Sequence, residues 1–99
     1  MTGDESDGAP LERLASRRAR IEEIDQRIIT LLAERVAIGL ETAALKRAAG
    51  LPILDPQREA EVIRRAVAGA REHALPEEAV RKLFWQVVGL SRSVQENES

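Results

Sequence analysis

The chain is predicted to be all-α, with three helices of which the first is by far the longest. Three observations carry this prediction. The apolar residues Leu14, Ile21, Ile24, Ile28, Leu31, Ile38 and Leu45 recur at heptad spacing, in steps of three, four or seven. No proline interrupts the chain between Leu11 and Pro52. Aromatic residues make up only 2% of the 99, so a core must come from Leu, Ile, Val and Ala. With turn signals this sparse, such residues pack on helices rather than sheets.

Taken in order, residues 1–10 carry Gly, Asp, Ser and Pro without apolar periodicity and are expected to form a disordered tail. A single helical domain is expected over 11–96. Its first helix starts at Leu11 and stops at Gly50-Leu51-Pro52. Arg17, Arg35 and Thr42 fill the remaining places of its apolar stripe. A second helix is expected from Asp55-Pro56, since Asp is a strong N-cap and Pro suits the first helical position. Its apolar face is Val62, Ile63, Ala66, Val67 and Ala70, and it fades near His73. Leu75-Pro76-Glu77-Glu78 opens the third helix, with acids placed for the helix dipole. Its buried stripe is expected to be Val80, Leu83, Phe84, Val87, Val88, Ser91, Val94 and Gln95, with residues 97–99 frayed.

A first helix of thirty-odd residues is a rod of roughly 50–60 Å, whereas a compact domain of this length has a radius of gyration of about 13 Å. Two shorter helices cannot cover its whole stripe. The same stripe on a second copy is the simplest cover, which predicts a symmetric homodimer. A kink near Gly39, giving a shorter hairpin, is the structural alternative.

Composition bounds the chemistry. The chain has no cysteine and one histidine, His73, which removes disulfides, thiolate nucleophiles and the usual soft-metal and Ser-His constellations. Neither a metal nor a cofactor is expected. Charged residues are 32% of the chain, yet the net charge is −2. The basic run Arg13, Arg17, Arg18, Arg20 is diluted by Glu12, Glu22, Glu23 and Asp25, so a nucleic-acid partner is not expected. No apolar run approaches the ~20 residues of a membrane span, and the acidic start does not read as a secretory signal. A cytoplasmic location is the expectation.

Several polar residues do not belong in a plain core. Lys46 follows Arg35 by eleven residues, about 20° past three full turns, so the two cations share a face about 16 Å apart. Arg18 precedes Arg35 by seventeen residues, or about 25 Å of helix. It cannot join that site from its own chain unless the helix breaks, whereas in an antiparallel dimer the partner's copy could reach it. Arg58 lies beside Glu59 in the first turn of the second helix, and Ser91 and Gln95 sit one turn apart on the third. Inward arginines need anionic partners. Asp25, Asp55 and Glu59 could supply some of the pairing and a bound dicarboxylate the rest. Singly, each residue also has a plainer reading. An arginine in a heptad stripe can snorkel or set register, Ser and Gln can bond to backbone, and His73 suits a helix C-terminus.

Together, Arg18-x6-Asp25, then Ile28, Leu31, Leu32 and Arg35, then Lys46, then Asp55-x-x-Arg58-Glu59, then Ser91-x-x-x-Gln95 resemble the all-helical chorismate mutases. The resemblance spans Leu14 to Gln95 and includes the ILDPQRE segment after the Gly-Leu-Pro turn. It implies a dimer of three-helix chains whose long first helices cross, and rearrangement of chorismate to prephenate. By matching position it implies Arg18 from the partner chain, with Arg35, on one carboxylate, and Arg58 on the other side of a cationic pocket. Lys46 and Gln95 would bond the ether oxygen, Glu59 and the Asp55 backbone the ring hydroxyl, and Ser91 a carboxylate. The reaction is pericyclic, so it needs a folded conformer and donors at the ether oxygen rather than a nucleophile.

Thr42-Ala43 departs from the family's usual Val or Ile followed by Gly. Because Thr42 shares the face of Arg35 and Lys46, it is expected to line the pocket. Rearrangement of 4-amino-4-deoxychorismate is therefore a second reading, since Glu59 would also suit a ring ammonium. An isochorismate-pyruvate lyase is a third, disfavoured by the intact Glu59 and Gln95. A non-catalytic helical dimerisation or regulatory module is the reading from outside enzymology.

Overall fold

The computed structural model describes the backbone of residues 2–98. It contains three α-helices, α1 (Thr2–Ala49), α2 (Pro56–Glu72) and α3 (Glu77–Glu98), and no strand among the described residues. No helix there is long and apolar enough to cross a membrane. The all-α class and the three-helix order are those the sequence predicts.

Helix α1 starts further back than the sequence reading places it. Helical backbone runs back through Pro10 to Thr2, where the sequence reading expects a tail over 1–10. Proline within a helix removes one backbone bond and crowds the preceding turn. Met1 and Ser99, outermost in the expected tail and frayed end, lie outside the described residues, and α3 is helical through Glu98.

Both interhelical stops follow from local backbone chemistry. At the end of α1, Gly50 adopts φ +71°. Its N–H donates to Arg47 O at 3.1 Å, and Leu51 N–H donates to Lys46 O at 2.8 Å. That pair of bonds is the Schellman motif, which satisfies the last carbonyls of a helix and calls for glycine at the left-handed position. The same pair closes α2: Ala74 donates to Arg71 O at 3.3 Å and Leu75 to Ala70 O at 2.8 Å. Here a non-glycine residue, Ala74 at φ 56°, carries the left-handed turn. His73 caps this end, with its Nδ1 2.9 Å from Gly69 O. At the other end of α2 the Asp55 carboxylate accepts from Arg58 N–H at 3.1 Å and Pro56 takes the first helical position.

The chain falls into two units, one up to Ala33 and one from Glu34 on. In the second unit α2 and α3 pack together as a helical hairpin. Ile63, Val67 and Val88 are buried between them, with Val62 and Phe84 at the margin. Ala43 and Ala70 are also buried. Burying an aliphatic side chain of the size of Ile63 stabilises by about 1.5–3 kcal/mol. Leu83 does not join this core and is 54% exposed. It lies about 140° around the helix from Val88, so its inclusion in the buried stripe is corrected.

The hairpin is also tied at its turn. Arg71 Nε and Nη2 donate to the two carboxylate oxygens of Glu77, each at 3.1 Å. That hydrogen bonding, and next the Coulomb attraction, raises the Arg71 pKa and lowers that of Glu77. In the first unit, Leu11, Leu14, Ile21, Ile24, Ile28, Ile29 and Leu31 are all exposed. Helix α1 continues through Gly39, so the alternative of a hairpin broken there is not what the structure shows.

Candidate active site

The carboxyl-terminal half of α1 faces α3 through two polar contacts. Arg35 Nη1 donates to Ser91 Oγ at 2.9 Å, and Gln95 Nε2 donates to Gly39 O at 3.2 Å. Gly39 permits the second contact. A Cβ at that position would stand 3.3 Å from Gln95 Nε2 and 3.9 Å from Ser91 Cβ and Oγ, so a larger residue would push the amide off the helix. Below these contacts the chain leaving α1 folds back. Lys46 Nζ donates to Ile53 O at 3.2 Å, which directs the ammonium toward the Ile53–Asp55 segment and the start of α2.

Between these elements lies a cavity of about 720 Å³. It is lined by Arg35, Ile38, Gly39, Thr42, Ala43, Lys46 and Arg47 from α1, by Ile53, Leu54 and Asp55 from the connection, by Arg58, Glu59 and Val62 from α2, and by Val88, Ser91, Arg92, Gln95 and Glu96 from α3. Of the nine residues singled out from the sequence, Arg35, Thr42, Lys46, Asp55, Arg58, Glu59, Ser91 and Gln95 thus come together. Arg18 does not; it is exposed in the other unit, and every lining residue comes from beyond Ala33.

Five basic and three acidic side chains line the cavity. An excess of two positive charges matches a small dianion, and apolar Ile38, Val62 and Val88 supply a wall for a ring. The arginines are less buried than their inward spacing suggests: Arg35 is partly buried and Arg58 exposed. Their contacts differ from the expected pairing too. Arg58 meets Glu61 at 3.4 Å, Arg35 meets Ser91, and Glu59 meets Arg92. Asp55 caps α2 through Oδ1, and its carbonyl oxygen accepts from Glu59 N–H at 3.1 Å. The Thr42 hydroxyl donates to Ile38 O at 2.9 Å. Lysine carries three N–H donors and needs one for Ile53.

Sequence reasoning missed Gly39, the apolar wall and Arg92. Glycine in a helix signals close approach without saying what approaches. Arg92 stands three residues before Gln95, a spacing that puts both on one face, and that was the available sign. Its guanidinium donates to a carboxylate oxygen of Glu59. This bond, then the charge of Glu59 and more weakly that of Glu96, raises the Arg92 pKa.

Comparison with known proteins points to one family. The family model described as "Chorismate mutase type II" matches residues 17–96. The chain is 34% identical over 85 residues to a chorismate mutase of Methanocaldococcus jannaschii, covering 86% of each. It is 32% identical over 79 residues to a bifunctional chorismate mutase/prephenate dehydratase of Enterobacter agglomerans, covering 80% of this chain and 20% of that one. Among solved structures, chorismate mutase (form II) from Thermus thermophilus superposes with a TM-score of 0.77 at 31% identity, covering 85% of this chain and 94% of that one.

Proposed function

The chain belongs to the type II chorismate mutase family, and from that premise we propose how its cavity turns chorismate into prephenate. The enzyme is an isomerase: one C–O bond of the substrate breaks as one C–C bond forms, with no atom gained or lost. A pericyclic step of this kind needs no nucleophile. It needs the two arms of the substrate folded over one another, and donors where negative charge grows on the ether oxygen.

The observation that carries the reading is the convergence of Arg35, Lys46, Arg58 and Gln95 on one cavity with a cationic surplus. Arg35, steadied by Ser91, grips one substrate carboxylate, and Arg58 sets the positive potential for the other. Paired guanidinium–carboxylate contacts fix orientation as well as charge, so the clamp selects the folded conformer. Lys46 and Gln95 donate to the ether oxygen. Both are pre-positioned by backbone carbonyls, those of Ile53 and Gly39, so little reorganisation is required during the reaction. Glu59 and the Asp55 backbone receive the ring hydroxyl.

The working unit in this reading is a homodimer, with residues 11–96 as its domain and a cytoplasmic setting. The exposed stripe of Ile21, Ile24, Ile28 and Leu31 gives a second copy its apolar contact. Arg18 of the partner then completes the clamp on the carboxylate held by Arg35.

The test is loss of chorismate absorbance with purified protein, beside the Lys46→Ala variant. Wild-type protein is expected to form prephenate, and the variant to lose about 10²–10³ in turnover, as for removal of one oxyanion donor, while keeping its melting temperature. Absence of turnover by the folded wild type, or near-wild-type turnover by the variant, contradicts the assignment.

A further inference from the structure

Arg92 has no part in the mechanism above, yet it lines the cavity and holds the carboxylate assigned to the substrate ring. Glu59 is 21% exposed at its side chain and Arg92 45%, and both line the cavity. The contact joins residues 33 apart in the chain, on two helices that pack directly. Helix packing therefore fixes the pair, unlike a local i,i+4 bridge on a solvated face.

We propose that Arg92 is a specificity-determining positioning residue, which compensates the Glu59 charge so that the cavity accepts a neutral ring hydroxyl and rejects a ring ammonium. The inference rests on the reading that Glu59 receives the ring substituent. A carboxylate offers about four lone-pair sites. With one oxygen bonded to Arg92, the other can still accept from a hydroxyl, which brings no charge with it. An ammonium at the same place would meet a carboxylate already neutralised and a guanidinium within a few ångströms. Discrimination by a repulsive group is often as effective as an added attraction. The guanidinium stays charged across the accessible pH range, so it compensates Glu59 wherever that carboxylate is ionised. Glu59 alone would favour the amino substrate; Glu59 paired with Arg92 favours the hydroxyl one.

The experiment compares kcat/KM for chorismate and for 4-amino-4-deoxychorismate in wild type, Arg92→Leu, Arg92→Lys and the Arg92→Leu/Glu59→Gln double variant. Folding is checked by circular dichroism. Wild type is expected to prefer chorismate. Arg92→Leu is expected to move the ratio toward the amino substrate by about tenfold or more, mainly through a lower KM for that substrate. Arg92→Lys restores the wild-type preference because it restores the cation, and the double variant loses the gain because the carboxylate is gone. If Arg92→Leu does not fold, Arg92→Gln, which also removes the charge, carries the comparison. A ratio unmoved in the uncharged variants, with chorismate still converted, overturns the role of Arg92 and leaves the function standing. A wild type that prefers the amino substrate overturns it as well. A wild type inactive on both substrates overturns the functional reading, and this inference with it.

Discussion

Ile63 and Ile28 are the same amino acid on helices that both carry an apolar face, and their surroundings are opposite. Ile63 is 3% exposed, packed with Val67 and Val88 in the α2–α3 hairpin. Ile28 is 49% exposed, as are its stripe neighbours to a similar degree. An amphipathic pattern states that a face must be covered and is silent on what covers it. Within the α2–α3 hairpin that cover comes from the chain itself; along α1 it does not, since Ile38 and Leu45 are exposed like Ile28. Before Ala33 it is the part we assign to a second copy, together with the missing arginine of the clamp.

Substitutions in the two regions should therefore differ in kind. Ile63→Ala is expected to cost about 2–5 kcal/mol of stability, the range for truncating a buried aliphatic residue, at any protein concentration. Ile28→Ala should weaken association, so its melting temperature should fall further as the protein is diluted. Thermal unfolding over a hundredfold concentration range separates them. Equal, concentration-independent losses would erase the distinction.

A smaller effect lies at the turn of the hairpin. Ala74 holds a left-handed conformation with a side chain, so Ala74→Gly should stabilise by about 0.5–1 kcal/mol once the entropy of glycine is set against the relieved strain. A lower denaturation midpoint for Ala74→Gly would contradict this.

Smallest is the exposed pair Arg71–Glu77. The Glu77 carboxyl has a lowered pKa in the folded chain. Its contribution is therefore present above the unfolded value and disappears as pH falls through the lowered one. The modest loss of stability in Arg71→Ala at neutral pH should vanish once pH falls below the lowered Glu77 value. A penalty undiminished in acid would mean that Arg71 acts through packing.

The helix boundaries legible in the sequence were those with a chemical signature. Asp55-Pro56 and Gly50 name an N-cap and a left-handed C-cap by residue type alone. The face shared by Arg35, Thr42 and Lys46 was legible because helical geometry fixes it over eleven residues. Three features were not. The turn at Ala74 uses a residue that carries no turn signal. The helix passes through Pro10, normally a stop. The pairing of Arg92 with Glu59 depends on how α2 and α3 pack, and nothing local to either residue encodes it. Arg18 is legible as a residue and illegible as a position, because its assigned place depends on another molecule.

The most direct measurement of that last point mixes two inactive variants. Arg18→Ala and Lys46→Ala are each expected to lose nearly all turnover. Co-refolded in equal amounts, they should form heterodimers in which one cavity keeps both wild-type residues, so activity should recover to about one quarter of wild type. If the mixture stays at the level of its parents although exchange of subunits is demonstrated, the cavity is not shared and Arg18 has no place in it.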